Sequence, residues 1–402
     1  MHNTKKNLGV VNYEPITLYV KKGFSISQLK SYYNPENFFD TVHIFAQGDT
    51  EWDLSDEIHV HPLSHYGFKA KAQLIKYCIH YNITLLRNYE AVATHIPTLE
   101  VKYLLDIPAI ISLHDVLYPP SILGYDHIFV YVEWLKEAIM EKYNHNSTLL
   151  LNRIDENLFK PDSFNNIPKE FSGYMNKIVC IGNLYERKNQ ENLIKAMIHV
   201  VKKYPDTILL LIGEGKDRAK YENLINNMDL SSNVKLVGSQ AQEMVVEYLN
   251  WCDFHALFND SGDLGRSLVE ALMVGKPVLA TGNRGNSKYH LTEGFNSKIV
   301  PYEEIYNPEY IAEALCYMIK NKHKFASSFI RERAINEYGF KKGVQLEASI
   351  YKKVLKEYKH LKISEFSSSN TKHNLLSHQK ITRLILYRYA LFLKTKNKHF
   401  IA

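Results

Sequence analysis

The chain has 402 residues, 45% of them hydrophobic and 23% charged, a balance that excludes global disorder and fibrous architecture and leaves room for two or more folded domains. No apolar run approaches the ~18 residues of a membrane-spanning helix, and the opening MHNTKKNLGVV holds lysines without an apolar block long enough for a signal-peptide core, which predicts a cytoplasmic protein. The net charge of +6 is uneven: Lys372, Lys380, Arg383, Arg388, Lys394, Lys396 and Lys398 stand in an acid-free segment over 370–402, which leaves the first 369 residues at −1, with no basic and aromatic stripe of the kind that binds nucleic acid.

Taken in chain order, short apolar runs alternate with amphipathic ones, the pattern of β-α units on parallel sheets. The first half predicts strands over 16–20, 41–45, 57–61, 83–86, 109–113 and 127–132, with helices over 27–33, 69–81, 96–105 and 132–143. KPDSFNNIPKEFSGYM (160–175) is rich in Pro, Asn, Ser and Gly and reads as the linker between domains, over 1–165 and 166–335. The second half predicts strands over 177–181, 207–212, 233–237, 253–258, 277–280 and 298–300, with helices over 190–203, 216–228, 242–250 and 266–274. A helix over 341–359, within a segment 336–360 expected to cross back to the first domain, leads to the polar break ISEFSSSNTKHN (363–374) and a basic tail over 361–402. Cys78, Cys180, Cys252 and Cys316 are scattered without paired spacing and read as reduced thiols, and no metal-ligand spacing is present.

Parallel sheets bind ligands at the carboxyl ends of their strands, so the residues there deserve the chemical reading. IGNLYERKN (181–189) places Arg187 and Lys188 after the first strand of the second domain and just before a helix, a position suited to a diphosphate; the alternative is a solvated basic loop. SGDLGRSLVEA (261–271) runs through glycines into a helix, so the backbone N–H groups from Leu264 through Gly265 and Arg266 to Ser267 face an incoming anion. Glu270 follows one turn in, where a carboxylate accepts hydrogen bonds from ribose hydroxyls or simply favours the helix dipole.

These residues carry a resemblance. IGNLYERKNQENLIKAM, LLLIGEGKDRAKYENLI, NVKLVGSQ and DLGRSLVEALMVGKPVLAT follow one another between 177 and 300, preceded by IPAIISLHD (107–115) and NRIDENLFKP (152–161). Together they resemble the donor-binding half and flanking motifs of family 4 glycosyltransferases, over about residues 80–320. The resemblance implies a GT-B fold, with two doubly wound Rossmann-like α/β domains facing a central cleft, and retaining, metal-independent transfer of a sugar from a UDP- or GDP-sugar to an acceptor hydroxyl. The nucleotide sugar is then a substrate, and no cofactor is implied. By position, Lys188 matches the lysine on the donor diphosphate and Glu270 the second Glu of E-x7-E, which holds the ribose. His114 matches the histidine facing the transferred sugar; without the resemblance it reads as a structural histidine at a strand end. Gly182, Gly213 and Gly215 match the turns beside the nucleotide, Val237 and Gly238 the backbone that meets the base, and Gly265 the loop approaching the phosphates.

The sequence departs from the family at the first Glu of that motif, where Gly262 stands between Asp260 and Asp263, and at an arginine replaced by Asn183, leaving Arg187 as the second positive charge. The glycine of the NGVD-type turn is Arg153, and Lys288 replaces a later acid. In the tail, Lys380, Arg383, Arg388 and Lys394 accompany Ile381, Leu384, Ile385, Leu391 and Phe392, giving either a basic amphipathic surface for an anionic membrane, which suits a lipid-linked acceptor in surface polysaccharide or glycolipid synthesis, or a helix that packs on the protein. A non-catalytic binding module and a sugar-nucleotide epimerase are the competing readings of the same fold.

Overall fold

The computed structural model describes residues 5–21, 23–65, 67–90, 94–114, 118–260, 264–282 and 285–360, so the basic tail over 361–402 lies outside the described residues. The chain forms two compact units, one running to Leu150 and resuming at Val344, the other Leu151–Gly343.

The first unit contains β1 (Asn7–Asn12), α1 (Ile16–Lys21), α2 (Ile26–Tyr33), β2 (Thr41–Gln47), β3 (Trp52–Ser55), β4 (Ile58–Leu63) and α3 (Gly67–His80). It continues through β5 (Leu85–Asn88), α4 (His95–Leu105), β6 (Ala109–Leu113), β7 (His127–Val130), α5 (Glu133–Tyr143) and β8 (Thr148–Leu149). The sheet order is β3-β4-β2-β1-β5-β6-β7-β8, parallel except at the β3–β4 pair. The strands wind one way from β1 to β2 and β4 and the other way from β5 on, so the switch point lies between β1 and β5.

A helix, not a strand, occupies 16–21. Asp49, far along the chain, accepts hydrogen bonds from the Ile16 N–H and, at 2.7 Å, from the Thr17 hydroxyl, capping the helix where Pro15 enters it. The strand is instead β1, whose six residues are all buried, as a central parallel strand requires. α2 begins with a capping box, Ser25 Oγ accepting from Gln28 N–H at 3.2 Å while Gln28 Oε1 accepts from Ser25 N–H at 2.9 Å.

On β2 and β4, His43 Nδ1 and His61 Nε2 lie 3.0 Å apart, and Tyr81 stacks on both rings. One proton serves the two facing nitrogens, so the contact is lost once both of them carry one. Burial, then the neighbouring histidines, lower His43 from its ordinary 6.5 to about 3, and burial lowers His61 against the opposing pull of Glu51. Unfolded histidine takes up its proton first as pH falls, so the stability these rings confer is complete above about 6.5 and is lost on acidification towards 3. A melting temperature lower by roughly 5 °C at pH 5 than at pH 7 is expected, and His43→Phe should flatten that slope; an unchanged slope in the variant would remove His43 as its source.

The second unit contains β9 (Asn176–Ile181), α6 (Gln190–Lys203), β10 (Thr207–Ile212), α7 (Arg218–Asn227), β11 (Val234–Gly238), α8 (Gln242–Trp251) and β12 (Phe254–Leu257). Then come α9 (Arg266–Met273), β13 (Val278–Thr281), α10 (Ser287–His290), β14 (Ser297–Val300), α11 (Pro308–Asn321) and α12 (Ser327–Tyr338). α13 (Phe340–Glu357) carries the chain into the first unit from Val344 on. The strand order is β11-β10-β9-β12-β13-β14, all parallel, with the switch point between β9 and β12.

The units divide upstream of the polar segment 160–175. Residues 152–161 belong to the second unit because Ile154 and Phe159 are buried in its core. The Ile154 N–H donates to Tyr338 O at 2.9 Å, and Arg331 donates to the Phe159 and Glu156 carbonyls at 2.6 and 2.8 Å. Arg153 lies against Gly343, where an added Cβ would meet its Cγ and Cδ at 2.5 Å; the arginine fills the space that the missing side chain at Gly343 leaves open.

Candidate functional site

Three strand ends of the second unit are woven together by backbone. Gly182 N–H donates to Ile212 O at 3.0 Å, Leu184 N–H to Glu214 O at 3.0 Å and Gly213 N–H to Gly238 O at 2.9 Å. Gly213 has φ +145°, and an added Cβ would lie 2.2 Å from Gly182 O; at Gly215 it would lie 2.3 Å from Leu184 O. These two glycines are demanded by the fold itself. Val237 and Gly238 close β11 beside them, and Gly238 has φ +85°.

Gly182 and Gly265 differ. A Cβ on either would touch only Leu257, at 4.0 and 3.8 Å, and neither has a left-handed φ. Nothing within the described residues requires glycine at these two places, which flank the end of β12 at the switch point.

The loop after β9 makes a turn of 3-10 helix over Glu186–Lys188 before α6. Asp260 N–H donates to Arg187 O at 3.1 Å, joining this loop to the one after β12. Ser267 Oγ donates to Ile181 O at 2.8 Å and ties the first turn of α9 to the end of β9. Arg187 is exposed and Lys188 half-buried. The charge of Lys188 reaches inward: burial pushes the Cys180 thiol up to about 12 while Lys188 pulls against it, and burial lowers His255 to about 3 with Lys188 adding to the effect.

Glu270, 7% exposed, accepts from Arg266 Nε at 2.7 Å. Burial raises its carboxyl above the usual range and Arg266 opposes that rise. Arg266 thus engages Glu270 through its Nε. Leu264 is buried in the core, so only its backbone is available for binding. Gly262 and Asp263 lie outside the described residues. Asn183 is exposed, and its carbonyl accepts from Gln190 Nε2 at 3.0 Å.

His114 belongs to the first unit, at the carboxyl end of β6, where its ring stacks on Tyr131 with centroids 4.0 Å apart. Sequence reasoning missed His255, fully buried in β12, whose Nε2 accepts from Ile181 N–H at 3.3 Å. The signal was a lone histidine inside the apolar run FHALF. Among the described residues no group of three or more His, Cys, Asp or Glu side chains is gathered as a metal centre requires, and no helix is long and apolar enough to cross a membrane.

Residues 164–341 match the family described as Glycosyl transferases group 1. An uncharacterized glycosyltransferase of Methanocaldococcus jannaschii, MJ1059, is 33% identical over 119 residues, 29% of this chain and 28% of that protein. The GDP-mannose-dependent monoacylated alpha-(1-6)-phosphatidylinositol monomannoside mannosyltransferase of Corynebacterium glutamicum is 33% identical over 117 residues, 27% of this chain and 30% of that protein. The chain thus spans less than a third of the length of either relative. Anabaena Alr3699/HepE, solved in complex with UDP, superposes with a TM-score of 0.69 at 18% identity, over 87% of this chain and 100% of that one. The protein has the GT-B fold, and its second unit carries the match to the group 1 glycosyl transferases.

Proposed function

We propose that the protein transfers a sugar from a UDP- or GDP-sugar to an acceptor hydroxyl with retention, in the manner of family 4 and without a metal, in surface polysaccharide or glycolipid synthesis. The observation that carries this reading is the convergence, at the β9/β12 switch point, of the Arg187–Lys188 loop, the start of α9 and two glycines that the fold does not demand. Backbone that must approach a ligand closely explains those glycines.

Breaking a glycosyl–phosphate bond leaves negative charge on the diphosphate and cationic character on the sugar. Lys188, Arg187 and the N–H groups that open α9 meet the first need. Glu270, drawn off Arg266, accepts from the ribose hydroxyls. In a retaining transfer the departing phosphate takes the acceptor proton on the face that it leaves. The lipid-linked form of the acceptor, and placement at the inner face of a membrane, rest on the basic composition of residues 370–402.

A thermal-shift series with UDP, GDP, ADP and CMP at high concentration tests the donor reading. One nucleoside diphosphate should raise the melting temperature by several degrees, and no response to any of them would sink it. Two glycine variants separate ligand from fold. Gly213→Ala should lose roughly 1–3 kcal/mol of stability through its left-handed φ and the clash with Gly182 O. Gly182→Ala should keep its melting temperature within about 2 °C and lose the nucleotide-induced shift; an undiminished shift would count against close approach of ligand to this backbone.

A further inference from the structure

β9 keeps its pairing with β10 up to its last residue, Ile181 opposite Ile212, but its pairing with β12 ends two residues earlier, where Val179 stands opposite His255. Side chains take over from the ladder there. The Ile181 N–H donates to His255 Nε2 at 3.3 Å, and Ile181 O accepts from Ser267 Oγ at 2.8 Å. One side chain from β12 and one from the first turn of α9 thus hold a backbone residue whose buried polar groups need partners. The His255 N–H donates to Pro277 O, at 3.3 Å and just before β13. His255 therefore spans three strands at the switch point, its backbone serving β13 and its ring serving β9.

The ring is held in one role. It is 0% exposed, and burial lowers it to about 3, so it is neutral at ordinary pH. Because Nε2 accepts from an N–H, the proton of the neutral ring sits on Nδ1, which has no partner among the described residues. The donor loop lies close by. Ile181 runs directly into Gly182, where the fold does not demand glycine, and Lys188 is near enough for its charge to lower both the Cys180 thiol and the His255 ring.

We propose that His255 is a positioning residue of the transfer reaction: with the Ser267 hydroxyl it holds the Ile181–Gly182 peptide in the place where a donor diphosphate meets that backbone and Lys188. His255 touches neither donor nor acceptor and acts through Ile181. The assignment rests on the donor site proposed above and adds what fixes its floor. A peptide at the end of a strand, with one neighbouring strand already gone, tilts unless something else ties it. Displacement by a fraction of an ångström is enough to weaken contacts that depend on close approach to phosphate. An apolar side chain in the same space would fill the core and leave the Ile181 N–H without this acceptor.

Isothermal titration of the full chain with UDP and UMP, and with GDP and GMP, reads the positioning directly, since each pair differs by the phosphate that carries the sugar in a donor. In the wild type one diphosphate should bind more tightly than its monophosphate. His255→Leu and Ser267→Ala should each cut that preference about fivefold while monophosphate binding stays within about twofold. His255→Gln, whose Oε1 replaces Nε2 as acceptor, should recover the preference. In a Lys188→Ala background His255→Leu should cost less than about twofold, because the contact it positions is already gone. Leucine removes the buried Nδ1–H together with one hydrogen bond, so the melting temperature should stay within about 4 °C. A leucine variant that melts far lower yet keeps the diphosphate preference would make His255 structural and overturn the proposal. Equal losses in the leucine and glutamine variants, or an undiminished loss in the Lys188→Ala background, would overturn it too. If leucine prevents folding, Ser267→Ala, which deletes one oxygen from a half-buried side chain, decides the matter by the same fivefold change. A wild type that binds none of the four nucleotides defeats the donor reading and this assignment with it, whereas a preference left whole in both variants defeats this assignment alone.

Discussion

Lys188→Ala is expected to lower kcat for sugar transfer by about 10²- to 10³-fold, the loss that follows removal of one group stabilising charge that develops in a transition state. The reason lies in when the charge appears. The donor diphosphate gains negative charge as its bond to the sugar breaks, so a cation beside it binds the transition state more tightly than the ground state and its removal acts on kcat. Ribose does not change during the reaction. Glu270→Ala should therefore raise the donor KM with a smaller effect on kcat. The structure adds a second reason for the difference, because Glu270→Ala removes the carboxylate that accepts from Arg266 Nε at 2.7 Å and leaves that partly exposed cation, at the start of α9, in place. Lys188→Arg should recover part of kcat by restoring charge without the same reach. Steady-state kinetics on the three variants, with melting temperatures as the control for folding, make the comparison. Wild-type kinetics in both alanine variants would sink the site assignment.

The second unit was the more legible in sequence, for a physical reason. Its parallel strands are covered on both faces, so they stand as short continuous apolar runs, and β10 has the bounds 207–212 read from TILLLI alone. Glycines after β9 and β10 and at the end of β11 marked where the chain must turn. The first unit hid its order. Residues 16–20 read as a strand because apolar residues cluster there, but the helix is settled by Asp49, a distant carboxylate that no local window contains. β1 was hidden by the lysines before it, and the antiparallel β3 was too short to show a period. Within the site, sequence placed Lys188, Arg187 and Glu270 near one helix start and one loop, and the Ser267 and Asp260 hydrogen bonds supply what joins those elements. It did not separate glycines that the backbone demands, such as Gly213, from those that it does not, such as Gly182, since both stand after strands. A cavity of the first unit was invisible for another reason: the residues that line it lie from Asn12 to His114 along the chain and meet only because β1, β5 and β6 end side by side.

Arg87→Met is expected to cost about 3–5 kcal/mol, the penalty for leaving one member of a buried ion pair without its partner. Arg87 on β5 and Glu347 on α13 are both 0% exposed, with Nε 3.1 Å from Glu347 Oε1. Arg87 also donates to the Tyr351 hydroxyl at 3.1 Å and to Ser112, while Tyr351 donates to the same Glu347 oxygen at 2.7 Å. Burial alone lowers the guanidinium's affinity for its proton, but the Tyr351 and Glu347 oxygens outweigh it and hold Arg87 charged. Methionine is similar in volume yet leaves the buried Glu347 carboxylate without the guanidinium's charge, so the loss comes from desolvation rather than from a cavity. The double variant Arg87→Met/Glu347→Leu removes both charges and should recover most of the lost stability, because well-packed apolar residues replace a buried pair at little net cost. Denaturation of the single and double variants measures that coupling; equal loss in both would assign Arg87 to packing alone.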